Sequence, residues 1–501
     1  MGEKVEQLKA HLAQPIDLQH AIGLLHWDQE VNMPEEGVNA RAEQLSTLSS
    51  LAHKMFISDE TARLLEAAEE EVADLDYDSD EASLVRVTRR NFDKSAKIPT
   101  ALVIREARAS SKSLMAWRKA RENDDFPSFE PHLAEIVDIA REKAEHLGYE
   151  DHPYDPLLQS YEPGMTTAQV AALFEDLKTG LIPLVQKIAE QPEADDRLFS
   201  AQVYPKDRQW EFTMLLLRDI GYNFNRGRQD KATHPFTINF APTDVRVTTR
   251  LLEDRPQSAI FSSVHEGGHA LYEQGIPLKF MRTALSGGAT LALHESQSRL
   301  WENQVGRGIP FWTHYFPILR AFFPEQLGEV SFDALYRAIN KVEPSFIRVE
   351  ADEVTYNFHI FIRFELEKSL VTGDLAIEDV PDAWNARYEE YLGVTPPNDT
   401  LGCLQDIHWA QSMVGYFPTY ALGNLISAQL YDRIKQDIPD IEEGFARGEF
   451  APLLNWLRDK VHKHGKKFTA PELLQRELDQ EINADALLTY MQEKYAQIYD
   501  L

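Results

Sequence analysis

The sequence predicts a mainly α protein with one small β element, and three observations support this fold class. Apolar residues recur at spacings of three and four along most of the chain, and Pro and Gly mark the breaks between these segments. One short region is instead rich in β-branched and aromatic residues. Of the 501 residues, 43% are hydrophobic and 26% are charged, which is typical of a globular protein with a large core.

The helical pattern is clearest after residues 165–167, which we expect to cap a helix. One face of this helix carries the apolar residues Val170, Leu173, Phe174 and Leu177. Residues 132–147 and 429–447 show similar amphipathic patterns. The acidic stretch 69–80 is typical of a solvated helix end and loop.

The β-rich region comprises residues 236–240 and 245–249, which residues 241–244 separate. This arrangement predicts a hairpin or a small sheet just before the strongest motif of the chain. An edge strand there is a candidate to pair with the backbone of an extended peptide, and an ordinary structural hairpin is the alternative.

Charge and cysteine content exclude several classes of partner and site. The chain has 81 acidic and 51 basic residues, so its formal net charge is −30, and such a surface repels nucleic acid and anionic lipid. We see no apolar stretch long enough to span a membrane and no signal peptide. Cys403 is the single cysteine, which fits a reducing, cytoplasmic location and excludes a zinc site built from several thiolates.

The strongest local motif is H-E-x-x-H at residues 265–269. On a helix, His265 and His269 share a face and can reach one metal ion, whereas Glu266 is offset towards the water that the ion activates. Metal binding by the two histidines and proton transfer by Glu266, as the general base, together suit peptide hydrolysis. Gly267 and Gly268 are poor helix formers, so we expect them to allow close approach of a neighbouring backbone or a substrate.

A catalytic zinc site needs a third protein ligand and an open position. The longer motif H-E-x-x-H-x-x-G-x-x-H is not present, because Tyr272 occupies the position of its Gly and Gly275 occupies the position of its last His. A second helix is predicted downstream, and it carries His294 and Glu295. If this helix runs antiparallel to the first, it lies opposite the two histidines. Spacing alone does not decide whether His294 or Glu295 is the third ligand.

Five separated motifs resemble those of the carboxypeptidase Taq-type metallocarboxypeptidases. They are D-x-R-x-T at 244–248, H-E-x-x-H at 265–269, H-E-S followed by Gln at 294–297, I-R-x-x-A-D at 347–352 and G-x-x-Q-D-x-H-W at 402–409. The length of the chain fits the whole family, and no motif departs from the pattern.

The resemblance implies an enzyme that removes single residues from peptide C-termini, with broad specificity and poor action on proline. It also implies a saddle-like, almost all-helical fold with a deep groove, and a homodimer. Each chain would bind one divalent metal ion, for which Zn²⁺ is the first candidate and Co²⁺ the alternative. By the same resemblance His265, His269 and Glu295 are the ligands and Glu266 is the base. We predict one unit over residues 1–501, with residues 1–200 as a helical wall of the groove and 201–501 as the catalytic part.

Arginine suits recognition of a terminal carboxylate, because its planar guanidinium can bind both oxygens. Arg348 is the first candidate and Arg246 the second, and a structural salt bridge is the alternative for each. Gln405 is a candidate to line the site or to support it. We also consider Asp352 and Asp406 as acceptors for the second N–H of the metal-binding histidines.

A developing oxyanion needs a hydrogen-bond donor, and His408 and Tyr420 are the candidates. Tyr416 is an alternative to Tyr420, and core packing is the structural alternative for all three residues.

Two other functions remain open from the sequence. A zinc endo-oligopeptidase on a similar helical scaffold would use the same metal chemistry and would differ in groove closure and in the carboxylate clamp. An aminopeptidase is disfavoured because we see no G-x-M-E-N segment. A non-enzymatic helical binding protein with a decayed motif is the second alternative, but the intact ligands and base argue against it.

Overall fold

A computed structural model describes residues 2–192 and 194–501 of the chain, and most of these residues are helical. The α-helices are α1 (Glu3–Val31), α2 (Val38–Phe56), α3 (Asp59–Val72), α4 (Asp80–Lys97), α5 (Thr100–Asn123), α6 (Phe126–Leu147), α7 (Asp155–Leu158), α8 (Thr167–Ala189), α9 (Arg197–Ser200), α10 (Lys206–Asp219), α11 (Pro256–Gly275), α12 (Leu291–Arg299), α13 (Ile309–Phe322), α14 (Pro324–Leu327), α15 (Phe332–Ile339), α16 (Tyr356–Thr372), α17 (Val380–Leu392), α18 (Pro418–Asp437), α19 (Ile441–Ala446), α20 (Ala451–Lys460), α21 (Ala470–Leu478) and α22 (Asp485–Tyr499). The strands are β1 (Gln229–Lys231), β2 (Thr237–Ala241) and β3 (Asp244–Thr249).

The predicted fold class, mainly α with a small β element before the metal-motif helix, is confirmed. Strands β2 and β3 form the expected antiparallel hairpin, with Thr237 opposite Val247. The sequence did not predict β1, which pairs with β3 in parallel and gives the strand order β1-β3-β2. Strand β2 is therefore an edge strand of a three-stranded sheet.

The predicted helices occur with one difference. In α8, Thr166 and Gln169 form a capping box, and Val170, Phe174 and Leu177 are buried on one face. Helix α6 includes all of residues 132–147, but residues 429–447 fall in two helices, α18 and α19, because the chain leaves the helix after Asp437. The acidic stretch spans the end of α3, an exposed turn and the start of α4, as expected.

The chain divides into two compact units. Unit 1 comprises Met1–Ser95, Asp195–Ile339 and Ser427–Gln480. It contains the sheet and α11, which is buried on most sides and therefore belongs to the core of this unit. The core around α11 and its neighbours includes the fully buried aromatic residues Phe212, Tyr272, Trp301, Trp312 and Tyr315.

Unit 2 comprises Ala96–Ala194, Asn340–Ile426 and Glu481–Leu501. Its central helix is α16, which is buried along nearly its whole length. The predicted division near residue 200 and the saddle-like shape with its groove stay predictions. Among the described residues, no helix combines the length and apolar composition that a bilayer-spanning helix needs.

Candidate metal centre

Helices α11 and α12 approach each other closely at Gly268. A Cβ atom at this position would lie 2.7 Å from the backbone oxygen of Gln297 and 2.7 Å from Cα of Ser298. Only a residue without a side chain fits there, so the expectation that a glycine of the motif allows close backbone approach is confirmed. The neighbouring Gly267 instead faces the side-chain ends of Leu217 and Ile220.

This close approach brings three ligand atoms together. Oε2 of Glu295 lies 3.6 Å from Nε2 of His265 and 3.4 Å from Nε2 of His269. The three residues form a group whose potential ligand atoms all lie within 4.8 Å of one another. The geometry therefore places Glu295, and not His294, opposite the two histidine Nε2 atoms.

The other ring nitrogen of each histidine is engaged within unit 1. Nδ1 of His265 lies 2.8 Å from Oε2 of Glu302, and Nδ1 of His269 lies 2.6 Å from Nδ1 of His294. The prediction that Asp352 or Asp406 accepts these hydrogen bonds is wrong. Asp352 accepts hydrogen bonds from Val354 and Thr355, and Asp406 accepts hydrogen bonds from Arg348 and Arg363.

Arginine side chains hold the carboxylates of this centre in the ionised form. Nε of Arg299 donates to Oε1 of Glu295 over 2.6 Å, which leaves Oε2 directed towards the histidines. Burial alone would raise the pKa of Glu295, but the charge of Arg299 holds it well below its usual range. Burial also opposes ionisation of Glu302, yet the hydrogen bond from His265 and the charge of Arg299 lower its pKa to about 2.

Glu266 is buried beside the three ligand residues. Oγ1 of Thr237, on edge strand β2, donates to Oε2 of Glu266 over 2.7 Å and also lies 2.9 Å from the backbone oxygen of Glu266. Burial raises the pKa of the Glu266 carboxyl group. This hydrogen bond involves Oε2 of the carboxylate and not Oε1.

The donor set fits one divalent cation. Two imidazole nitrogens and one carboxylate oxygen are a typical set for catalytic zinc, which keeps a further position for water. Burial lowers the pKa of His269 to about 4, so its imidazole is neutral and its Nε2 can carry a lone pair. The carboxylate of Glu302 gives His265 the hydrogen-bonded support that metal-binding histidines usually have.

The remaining predicted residues, except Arg246, lie together in unit 2. Arg348 is buried, and its Nε and Nη2 donate to Oδ1 of Asp406 over 3.1 and 2.9 Å. Its Nη1 donates to the hydroxyl of Tyr356 over 3.0 Å. Arg363 donates to the second oxygen of Asp406 over 2.6 Å. Burial alone would raise the pKa of Asp406, but the two arginines hold it well below its usual range.

Gln405 is engaged inside unit 2. Its Oε1 accepts from the backbone N of Arg348 over 2.9 Å, and its Nε2 donates to the backbone oxygens of Phe346 and Gly402 over 2.8 and 3.1 Å. The side chain therefore joins the segment before Arg348 to the segment before Asp406. Direct contact of Gln405 with substrate stays a prediction.

His408 and Tyr420 form a hydrogen-bonded pair, with Nε2 of His408 3.1 Å from the hydroxyl of Tyr420. Burial lowers the pKa of His408 to about 3, and the nearby charges of Arg348 and Arg363 act in the same direction. The ring of Tyr416 packs against both, with centroid distances of 5.4 Å to each. The pair lies in unit 2, and its role as a donor to substrate stays a prediction.

Arg246 lies in unit 1, on strand β3. Its guanidinium donates through Nε and Nη2 to both oxygens of Asp244 over 2.9 Å, and it lies 4.4 Å from the ring centroid of Trp27. The contact with Asp244 is a bidentate salt bridge, the alternative that the sequence left open, and recognition of substrate by Arg246 stays a prediction.

Three residues of the centre were not singled out from the sequence, namely Thr237, Arg299 and Glu302. A signal for two of them exists, because Glu295, Arg299 and Glu302 stand at i, i+4 and i+7 on one helical face. Glu302 lies in a π-helical segment, Leu300–Val305, that continues α12. Such segments are rare and frequently accompany functional sites.

Known proteins match this chain over nearly its whole length. A family model described as carboxypeptidase Taq (M32) metallopeptidase matches residues 7–495. The thermostable carboxypeptidase 1 of Thermus thermophilus is 41% identical over 485 residues, which cover 95% of this chain and 95% of that protein. Carboxypeptidase 1 of Bacillus subtilis is 39% identical over 479 residues, which cover 96% of this chain and 95% of that protein.

A solved structure agrees with these relatives. The M32 carboxypeptidase from Deinococcus radiodurans is 38% identical, with a TM-score of 0.96 and coverage of 100% of both chains. These comparisons confirm the predicted resemblance and the predicted enzyme class, a metallocarboxypeptidase-type hydrolase, over the endo-oligopeptidase alternative. The chain belongs to the carboxypeptidase Taq (M32) metallopeptidase family.

Proposed function

We propose that this protein releases single amino acids from the free C-termini of peptides, and that His265, His269 and Glu295 hold the divalent cation which this hydrolysis requires. The observation that carries the proposal is the convergence of two Nε2 atoms and one Oε2 atom within 4.8 Å, with Glu266 buried beside them. When bound, the cation lowers the pKa of its water towards about 7 and polarises the scissile carbonyl.

Glu266 performs the proton transfers in this proposal. Its Oε1 accepts the proton of the attacking water and later delivers it to the leaving amine. Thr237 keeps the carboxylate in place through Oε2. Arg299 holds Oε1 of Glu295 and so keeps Oε2 directed towards the two histidines.

The hydrogen-bonded pair His408–Tyr420 is our candidate donor to the developing oxyanion. Arg348 is our candidate for the terminal carboxylate. Asp406 is shared between Arg348 and Arg363, so the three residues keep one net positive charge, and Arg348 would bind a carboxylate through its remaining N–H groups. Gln405 supports this proposal by fixing the backbone N of Arg348.

Edge strand β2 is our candidate for binding the substrate backbone. The backbone N of Val247 donates to Arg228 on the β1 side, so the backbone groups of Thr237, opposite Val247, point away from β3. An extended peptide can add to such an edge through main-chain hydrogen bonds. The side chain of Thr237 reaches Glu266, so this edge lies beside the proposed base.

Further properties belong to the same proposal. Zn²⁺ is the proposed cation and Co²⁺ the alternative, because two imidazoles and a carboxylate suit zinc. The resemblance supports broad specificity, poor action on proline and a homodimer. A cytoplasmic location rests on the single Cys403, which is buried and excludes an intramolecular disulfide.

The test is a timed mass spectrum of one unblocked peptide and of its C-terminally amidated form, digested with Zn²⁺-loaded protein. We expect a ladder that shortens from the C-terminus of the free peptide and little cleavage of the amide. The Glu266→Gln variant is the control, and we expect it to retain Zn²⁺ while its turnover falls at least about a hundredfold. Internal fragments from both peptides would support an endopeptidase and contradict the proposal.

A further inference from the structure

A continuous line of hydrogen bonds lies behind His269, on the side of the ring opposite Nε2. Nδ1 of His269 is 2.6 Å from Nδ1 of His294, and Nε2 of His294 is 2.9 Å from Oε1 of Glu273. Glu273 lies one helical turn after His269 on α11, and its side chain is only 4% exposed. Two histidines and a carboxylate are thus connected in series.

The carboxylate of Glu273 determines which nitrogen of each histidine carries the proton in these hydrogen bonds. An ionised carboxylate only accepts hydrogen bonds, so Nε2 of His294 must carry a proton and donate it to Glu273. In the tautomer that carries its proton on Nε2, His294 has a lone pair on Nδ1, and this lone pair accepts a hydrogen bond from Nδ1–H of His269. This assignment leaves Nε2 of His269 without a proton and with its lone pair directed towards Glu295 and His265.

The surroundings of Glu273 fix this carboxylate firmly. Oε1 also accepts from the backbone N of Gly288 over 2.9 Å, and Oε2 accepts from Nδ2 of Asn239 over 2.8 Å. A Cβ atom at Gly288 would lie 2.6 Å from Cδ2 of His294, so a residue without a side chain makes room for the imidazole. Asn239 belongs to edge strand β2, so Glu273 joins this strand to the metal-binding helix.

We propose that Glu273 and His294 are positioning residues that hold His269 in the tautomer and orientation needed to bind the divalent cation. The inference rests on the cation site of the proposed function and extends it to two residues outside the ligand set. His265 receives the same support directly from Glu302, whereas His269 receives it through a second imidazole.

The test is the affinity for Zn²⁺, measured without peptide by competition with a chelator. Glu273→Leu removes the acceptor and His294→Phe removes both hydrogen bonds while keeping a ring of similar size. We expect each to weaken Zn²⁺ binding about 10- to 100-fold, the usual effect of losing such support. Glu273→Gln keeps an acceptor oxygen for His294, so we expect it to restore most of the affinity lost in Glu273→Leu.

Gln274→Leu is the matched control. Gln274 follows Glu273 in α11 and is also buried. Its substitution removes hydrogen bonds with Asn223 but does not change the hydrogen bonds that connect His269, His294 and Glu273. We expect this variant to bind Zn²⁺ within about threefold of the unchanged protein. The double variant Glu273→Leu/His294→Phe should bind no more weakly than His294→Phe alone, because both changes break one pathway.

Folded Glu273→Leu and His294→Phe proteins with unchanged Zn²⁺ affinity would overturn the inference. Nitrogen NMR of the metal-free, unsubstituted protein, labelled at histidine, gives a check that does not depend on the variants folding. We expect the His269 proton on Nδ1, and a proton on Nε2 would contradict the proposal. Zn²⁺ binding without C-terminal cleavage would contradict the proposed function and leave this inference standing.

Discussion

The hydroxyl of Thr237 lies 2.7 Å from Oε2 of Glu266, and this hydrogen bond joins edge strand β2 to the proposed general base. The same hydroxyl is 2.9 Å from the backbone oxygen of Glu266, so the strand is fastened to α11 at this point. The strand that we propose for substrate binding and the carboxylate that we propose for proton transfer are therefore held in a fixed relation.

We predict that Thr237→Val lowers kcat about tenfold without changing the Zn²⁺ content, because the carboxylate of Glu266 loses its positioning contact while the ligands stay intact. Thr237→Ser keeps the hydroxyl and is the matched control, with kcat expected within about twofold to threefold of the unchanged protein. Steady-state kinetics and metal analysis on all three proteins check this. Equal losses in the Val and Ser variants would show that the hydroxyl is not responsible.

The contact at Gly268 gives a prediction about the spacing of the ligands. Gly268→Ala forces backbone atoms of α12 to move, at a cost of about 1–3 kcal/mol, and displaces Glu295 from the histidines. We expect both the free energy of unfolding and the Zn²⁺ affinity to fall.

Gly267→Ala is the control for this change, because its Cβ meets only the ends of two flexible side chains. The helix propensity of Ala, about 1 kcal/mol better than that of Gly, offsets the adjustment. We therefore expect nearly unchanged Zn²⁺ affinity. Similar affinities for the two variants in chelator competition would refute the role assigned to Gly268.

Glu367 gives a pH-dependent prediction for unit 2. This fully buried carboxyl group accepts hydrogen bonds from the hydroxyl of Tyr154, Nε1 of Trp409 and the backbone N of Gly415 over 2.5, 2.9 and 3.0 Å. Burial nevertheless raises its pKa from 4.5 to about 7. Between these two values the native state binds more protons than the unfolded state, so the contribution of Glu367 to stability falls as the pH rises.

Glu367→Gln removes this titration. We predict that the free energy of unfolding of this variant, relative to that of the unchanged protein, rises by about 2.5 kcal/mol between pH 5 and pH 8. Urea unfolding at the two pH values measures the difference. The same relative stability at both values would mean that Glu367 is ionised throughout this range.

Arg348 gives the test of carboxylate recognition. Arg348→Ala should lower kcat/KM more for a peptide with a free C-terminus than for any internal cleavage, because only the former presents a carboxylate. The substitution also leaves Asp406 paired with Arg363 alone, so the melting temperature must be compared in parallel. Losses of equal size on both substrate types would mean that Arg348 acts through its ion pair with Asp406.

The sequence predicted the parts of the centre that depend on local spacing. His265 and His269 follow from the period of one helix, and the hairpin of β2 and β3 follows from two β-rich segments around a short turn. Glu295 and His294 were inseparable by spacing because adjacent residues of a helix differ by about 100° in direction, and the axis between α11 and α12 was unknown. The resemblance favoured Glu295, and the structure places its Oε2 towards both histidines.

Other features depend on contacts between distant segments and could not be inferred in this way. Strand β1 consists of Gln229–Lys231, three polar residues without a strand pattern, and it exists because β3 pairs with it. Asp406 was one of two candidates to support a metal ligand, but it is paired with Arg348 and Arg363, which precede it by 58 and 43 residues. Pairing across such separations leaves no periodic signal in the sequence.

The central claim is that His265, His269 and Glu295 together bind one divalent cation. The most direct measurement is the Zn²⁺ content of the unchanged protein and of Glu295→Gln, after dialysis against the same low concentration of free Zn²⁺. We expect one Zn²⁺ per chain for the unchanged protein and almost none for the folded variant, because the amide cannot supply the charge that faces the two imidazoles. One tightly bound Zn²⁺ per chain in both proteins would contradict it.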